Sequence, residues 1–101
     1  MRMMMMVECP LEPFNTKVRN GSAGSTMMKI LDDAKPEAAY FGEREGKRGG
    51  ILIVDVAKPS DVPRLAEPWF LNFNAAVEFR VCMLPADLAQ ADLDALGKKW
   101  G

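Results

Sequence analysis

Histidine is absent from the sequence. Triads built on histidine, imidazole proton shuttles, and zinc or haem held by imidazole are therefore excluded. Cysteine is scarce. Cys9 and Cys82 are the only two, and neither sits in a C-x-x-C pair, so neither a zinc site nor a thioredoxin-type motif has support. Charge of one sign is not in excess: 13 basic and 14 acidic residues leave a formal net charge of -1. The general electrostatic drive toward nucleic acid or acidic membranes is thus missing. No apolar run approaches the ~20 residues that a membrane helix needs. The segment Met1-Arg2-Met3-Met4-Met5-Met6-Val7 is apolar but too short for the hydrophobic region of a secretion signal. These absences predict a soluble, cytoplasmic protein with two buried free thiols, a disulfide or a reactive thiol being the alternatives. Without a secretion signal, the glycosylation-type triplet Asn20-Gly21-Ser22 carries no meaning.

What is present is globular: 49% apolar and 27% charged residues over 101 positions. That length predicts one domain, residues 1–101. A compact chain of this mass exposes roughly 5,700 Å² and hides about 65% of its unfolded surface. One small core can form, and a deep private site is hard to build from it, so partner subunits are expected.

Residues 3–9 are an apolar run broken only by Glu8 and closed by Pro10, which predicts a strand buried on both faces. Residues 10–13 predict a turn. From Phe14 to Ala34 the apolar spacing is helical, cleanest at Met27, Ile30, Leu31 and Ala34. Gly21 and Gly24 either split this segment or mark a close packing contact, and Pro36 ends it. Residues 38–44 predict a second strand. Residues 48–56, with Ile51-Leu52-Ile53-Val54, predict a third, joined to it by a tight turn at Glu45-Gly46-Lys47. A helix follows with Ser60 as N-cap and Asp61 in its first turn. Its apolar stripe is Val62, Leu65, Ala66, Trp69 and Phe70, and Pro68 kinks or ends it. Residues 75–84 alternate as a half-buried strand. From Ala86 a last helix places Ala89, Leu93, Leu96 and Trp100 on one side, with Trp100 packing it down.

The order β-α-β-β-α-β plus a C-terminal helix predicts an α+β, ferredoxin-like antiparallel sheet, spatial order 4-1-3-2, with helices on one face. The continuous apolar runs belong on the central strands. Glu43, Arg44, Glu78 and Arg80 belong on the edges. Helices cover only one face, so the uncovered face, still rich in methionine and isoleucine, predicts a homodimer or higher homo-oligomer with sheets packed together.

The strand–helix order, the length and the segment Ile53-Val54-Asp55-Val56-Ala57-Lys58-Pro59-Ser60 resemble the dimeric α+β barrel superfamily. Pro68-Trp69-Phe70-Leu71 before the final alternating strand adds to the likeness, and a similar run occurs in muconolactone isomerase. The resemblance spans residues 1–84. It implies a small bacterial-type dimeric barrel. The superfamily includes isomerases, cofactor-free monooxygenases, haem-degrading enzymes and dehalogenation accessory proteins, so it constrains chemistry little. Members that rely on histidine are set aside by its absence. Acid–base chemistry by Glu, Asp or Tyr, or binding alone, is what survives.

Candidate ligand-binding residues are Arg19, Tyr40, Arg80, Glu8, Glu78 and Trp69. Arg80 offers a grip for a carboxylate ligand, with Glu8 or Glu78 as base; the alternative is an interface ion pair. Tyr40 offers a hydrogen bond to a ligand oxygen, against a packed ring with a wet hydroxyl. Arg19 offers an anion contact beside the small-residue stretch, against a solvated helix face. Trp69, Asn72 and Asn74 cluster after the second helix, against a core-and-turn role. Gly21-Ser22-Ala23-Gly24-Ser25-Thr26 lacks the lysine and preceding strand of a phosphate loop. No metal and no cofactor is expected. The expected role is binding of a small, partly apolar metabolite between sheet and helices, with isomerase or cofactor-free oxygenase activity as its enzymatic form. The alternative is a non-catalytic interaction module with a solid interior and Glu78 paired to Arg80. A cavity of roughly 300 Å³ or more with convergent polar groups separates the two. Nucleic acid is not an expected partner, because the central strands lack exposed aromatics interleaved with Lys and Arg.

Overall fold

The computed structural model describes residues 1–101. The chain runs β1 (Arg2–Cys9), α1 (Leu11–Arg19), α2 (Ala23–Ala34), β2 (Ala38–Arg44), β3 (Lys47–Asp55), α3 (Asp61–Phe73), β4 (Ala76–Val81), α4 (Pro85–Gln90) and α5 (Leu93–Trp100). The four strands form one antiparallel sheet in the order β2-β3-β1-β4. This is the expected ferredoxin-like arrangement. The two methionine- and isoleucine-rich strands are central and the charged strands are edges.

Register assigns the faces. Met5 stands opposite Leu52 and Phe79, and Val7 opposite Gly50 and Val77. Because side chains alternate along a strand, Met5, Val7, Cys9, Leu52 and Val54 share the face that α1, α2 and α3 cover. Met5 and Leu52 are completely buried there, together with Phe73. Phe73 stacks on Phe14 at 4.6 Å and meets Trp69 at 5.9 Å, which clamps α3 onto α1 over the sheet centre. The opposite face carries Met4, Met6, Ile51, Ile53, Tyr40, Glu8, Glu78 and Arg80. No helix covers it, and Ile51 and Tyr40 are exposed, although neighbouring side chains bury Met6 at its centre.

Local chemistry explains the boundaries. The expected turn at residues 10–13 holds Glu12 in an extended conformation, and the peptide bond from Glu12 to Pro13 is cis. The Glu12 carboxylate accepts hydrogen bonds from the backbone N–H and hydroxyl of Thr16, at 3.1 and 2.7 Å. Those bonds hold the carboxyl below the ordinary glutamate range, and they cap the helical part of α1.

The small-residue stretch does split the helical segment. Gly21 adopts φ +80°, and the Asn20 side chain accepts from the N–H and hydroxyl of Ser22. The β2–β3 hairpin turns on Glu45 and Gly46, both at positive φ, the conformation that matches strand twist in a two-residue turn.

Of the two thiols expected to be buried, Cys9 is buried and Cys82 only half-buried. Three further expectations are corrected. Ser60 does not cap α3 with its side chain. The Asp61 carboxylate instead ties down the preceding loop, accepting from the N–H groups of Ala57 and Lys58 at 3.0 and 3.1 Å. Pro68 does not end α3, which continues to Phe73. The burial of Trp69 and Phe73 outweighs the one backbone bond a proline removes.

The third correction concerns the C-terminal part. The last strand stops at Val81, and the single last helix is two short ones, α4 and α5. Trp100 does not pack down: it is 76% exposed, and neither α4 nor α5 buries a single residue. The segment stands away from the body, so the molecule extends over 60 × 28 × 19 Å. Its radius of gyration is 17.0 Å, against about 13 Å for a compact chain of this length.

Candidate functional site

Between the sheet and the helices lies a cavity of about 200 Å³. Phe14 of α1, Met27 of α2 and Trp69 of α3 form its roof; Val7, Cys9, Arg48, Gly49, Gly50 and Phe41 supply the sheet side. Gly50 matters for space. It sits opposite Val7 and Phe41 on the covered face, and a Cβ there would lie 2.8 Å from the Phe41 ring. A side chain at this position would displace Phe41 and close the floor of the cavity.

Arg48 is the one charged residue in the lining. Its guanidinium rests 4.5 Å above the ring of Phe14, a cation–π arrangement. Its Nη1 is buried and has no hydrogen-bond partner, and the same is true of Nε1 of Trp69. Glu43 stands across from Arg48 in the β2–β3 register, but its carboxylate is turned to the hairpin, accepting from the Gly46 N–H at 2.6 Å. Each unpaired buried donor costs about 1–3 kcal/mol. Both residues line the cavity, so two buried donors are left unpaired beside it.

Cys9, opposite Arg48, is buried. Loss of hydration pushes its thiol above the ordinary value, with Arg48 opposing. It is therefore a neutral thiol at pH 7 and not an activated nucleophile. The lining contains no Glu, Asp or Tyr, so no side-chain carboxylate or phenol is placed to move a proton inside it. No group of three or more cysteine, aspartate or glutamate side chains is placed to hold a metal ion.

Of the six candidates read from the sequence, Trp69 lines this cavity. The other five lie elsewhere. Glu8, Glu78, Arg80 and Tyr40 share the uncovered sheet face. Glu8 pairs with Lys47 at 3.3 Å and Arg44 at 3.8 Å, and Glu78 pairs with Arg80 at 3.7 Å. Arg19 is exposed on α1, 3.5 Å from Glu12. Asn72 donates to the Pro68 carbonyl at 2.8 Å, and Asn74 ends α3 at positive φ.

Arg48, Cys9, Phe14 and Phe41 are among the nine lining residues that sequence reasoning missed. A signal existed. Leu52 and Val54 are inward residues of β3, and the two-residue period places Gly50 and Arg48 on the same side. An inward arginine beside a missing side chain marks the cavity.

No family model and no curated protein matches the chain. Among solved structures, it is similar to a 5-chloro-2-hydroxyhydroquinone dehydrochlorinase from Burkholderia phenoliruptrix, in complex with 2,5-dihydroxybenzoquinone. The TM-score is 0.61 at 14% identity, over 85% of this chain and 97% of that one. A formyltetrahydrofolate deformylase from Pseudomonas putida matches at TM-score 0.49 and 11% identity, covering 81% of this chain and 29% of that one. The first likeness bears out the ferredoxin-like α+β fold. Nothing in the comparisons points to muconolactone isomerase in particular. No helix is long and apolar enough to cross a membrane.

Proposed function

We propose that this chain, as a homodimer, binds a small oxygen-rich ring compound carrying negative charge in the cavity between sheet and helices. The observation that carries the reading is the pair of unpartnered buried donors, Arg48 Nη1 and Trp69 Nε1, in a lining otherwise apolar. Phe14, Phe41 and Met27 would hold the ring by its faces and edges. Arg48 would take the anionic oxygen and Trp69 a second oxygen. At about 200 Å³ the cavity falls short of the roughly 300 Å³ set above as the mark of a metabolite pocket, which counts toward the interaction module; a ligand held here is limited to a single ring. The bound 2,5-dihydroxybenzoquinone of the Burkholderia dehydrochlorinase is a compound of that size and chemistry. The dimer rests on the uncovered sheet face, where Tyr40, Glu78 and Arg80 would be interface groups.

The test is calorimetric titration with three probes: 2,5-dihydroxybenzoquinone, benzoate and toluene. The two oxygenated rings should bind and the hydrocarbon should bind at least tenfold more weakly. Equal affinity for all three would mean an apolar hole without polar recognition. No binding of any probe at millimolar concentration would remove the reading.

A second reading, a non-catalytic interaction module, is favoured by a separate observation: the Glu78–Arg80 pair it requires is present.

A further inference from the structure

We propose that residues 83–100 form an exchange arm that lies on a second copy of this chain, each copy giving one arm and receiving one. Leu88 lies on α4, with Leu84 extended just before it; Leu93, Leu96 and Trp100 step by three and four and form one apolar stripe along α5. All five side chains are between 42% and 76% exposed. The helices themselves are built with care. The Asp87 carboxylate accepts from the Leu84 N–H at 2.9 Å, and Asp92 accepts from the Ala95 N–H at 3.2 Å. The arm is thus an ordered element whose apolar side has no partner in its own chain.

The exposed area matches what a second copy would cover. The chain exposes 6843 Å², whereas a compact monomer of its mass exposes about 5,700 Å². The excess is about 1,100 Å², and a stable protein interface buries about 800 Å² on each partner. The chain therefore carries about one interface of surplus surface.

That surplus has two parts which do not meet within one chain: the arm and the uncovered sheet face. A two-fold pairing covers the arm of each copy with the body of the other and leaves no open end. The arm's charges argue against an anionic membrane. Asp87, Asp92 and Asp94 outnumber Lys98 and Lys99, so no basic stripe accompanies the apolar one. This inference goes beyond the ligand reading and does not depend on it.

The experiment is sedimentation velocity on the full chain across a concentration series, for wild type and for Leu88→Glu, Trp100→Glu and Ile51→Glu. Acrylamide quenching runs alongside. Trp69 is buried in either state, so any concentration-dependent shielding reports Trp100. Wild type should run at about twice 11.2 kDa, with Trp100 shielded. Each arm variant should raise the dissociation constant about 30-fold or more, while the near-ultraviolet signal of Trp69 and its aromatic neighbours stays unchanged.

A dimer that tolerates both arm variants but dissociates in Ile51→Glu would overturn the arm and keep a face-to-face dimer. A wild type that stays monomeric at tens of micromolar, whether or not another protein or a lipid surface captures it, would overturn the exchange outright.

Discussion

Replacing Arg48 by methionine separates a residue kept for binding from one kept for folding. In the free protein the guanidinium has two opposing effects. Its buried, unpartnered Nη1 costs about 1–3 kcal/mol. Its position over Phe14 at 4.5 Å returns about 0.5–2 kcal/mol. Methionine keeps comparable volume and flexible packing against the ring and removes both terms. The expected change in stability therefore runs from a loss of about 1 kcal/mol to a gain of about 2.5 kcal/mol, so Tm should fall by no more than about 4–8 °C for a domain of this size.

Binding is different. A hydrogen bond to a charged group contributes about 1.5–3 kcal/mol, so affinity for 2,5-dihydroxybenzoquinone or benzoate should fall about 10- to 150-fold. Affinity for toluene should not fall. Urea denaturation supplies the first number and calorimetry the second. A loss of more than about 2 kcal/mol in stability with affinity unchanged within twofold would refute the reasoning and make Arg48 a structural residue.

Three further predictions follow from the same geometry. Alanine at Arg19, Tyr40 and Arg80 together is expected from the sequence to abolish ligand binding, whereas their placement outside the cavity expects less than a twofold change; one titration decides. Phe73→Ala removes a fully buried ring stacked on Phe14 and should cost about 3–5 kcal/mol in chemical denaturation, a result below about 2 kcal/mol meaning that α3 is not clamped as described. Asp61→Ala should lower stability at neutral pH, because the N–H groups of Lys58 and Ala57 hold the folded carboxyl below its ordinary 3.8. A lowered folded value contributes stability that is present above the unfolded value and lost as pH falls through the folded one, so the gap between wild type and variant should begin to narrow below about pH 3.8. A gap that stayed constant from pH 7 to acid unfolding would show that the loop bonds do not depend on ionisation.

How much of the molecule was legible in the chain depended on the range of the interaction. The two methionine- and isoleucine-rich strands had to be central, because a continuous apolar run is costly at an edge, and Glu43, Arg44, Glu78 and Arg80 had to lie where water reaches them. The split at Asn20-Gly21 was open in the sequence. It closed only through the Ser22 bonds to the Asn20 side chain. At Pro68 and Ser60 local rules failed, since burial of Trp69 and Phe73 carries the helix onward and the Ser60 side chain caps nothing, while Asp61 binds the loop before the helix.

Charged and aromatic residues attracted the sequence-based choice of site because their chemistry is visible in isolation. Arg48 became meaningful only when register set it opposite Cys9 and under Phe14, with Gly50 leaving space beside it. The sequence by itself determined the strand and helix types, the order of the sheet and the existence of one uncovered face, since these follow from the period of apolar residues and from the cost of burying charge. Tertiary structure alone decided that Arg48 and Trp69, each with an unpaired donor, line one cavity and that residues 83–100 leave the body. Both depend on which groups find partners across long stretches of chain, and spacing within one segment carries no record of that.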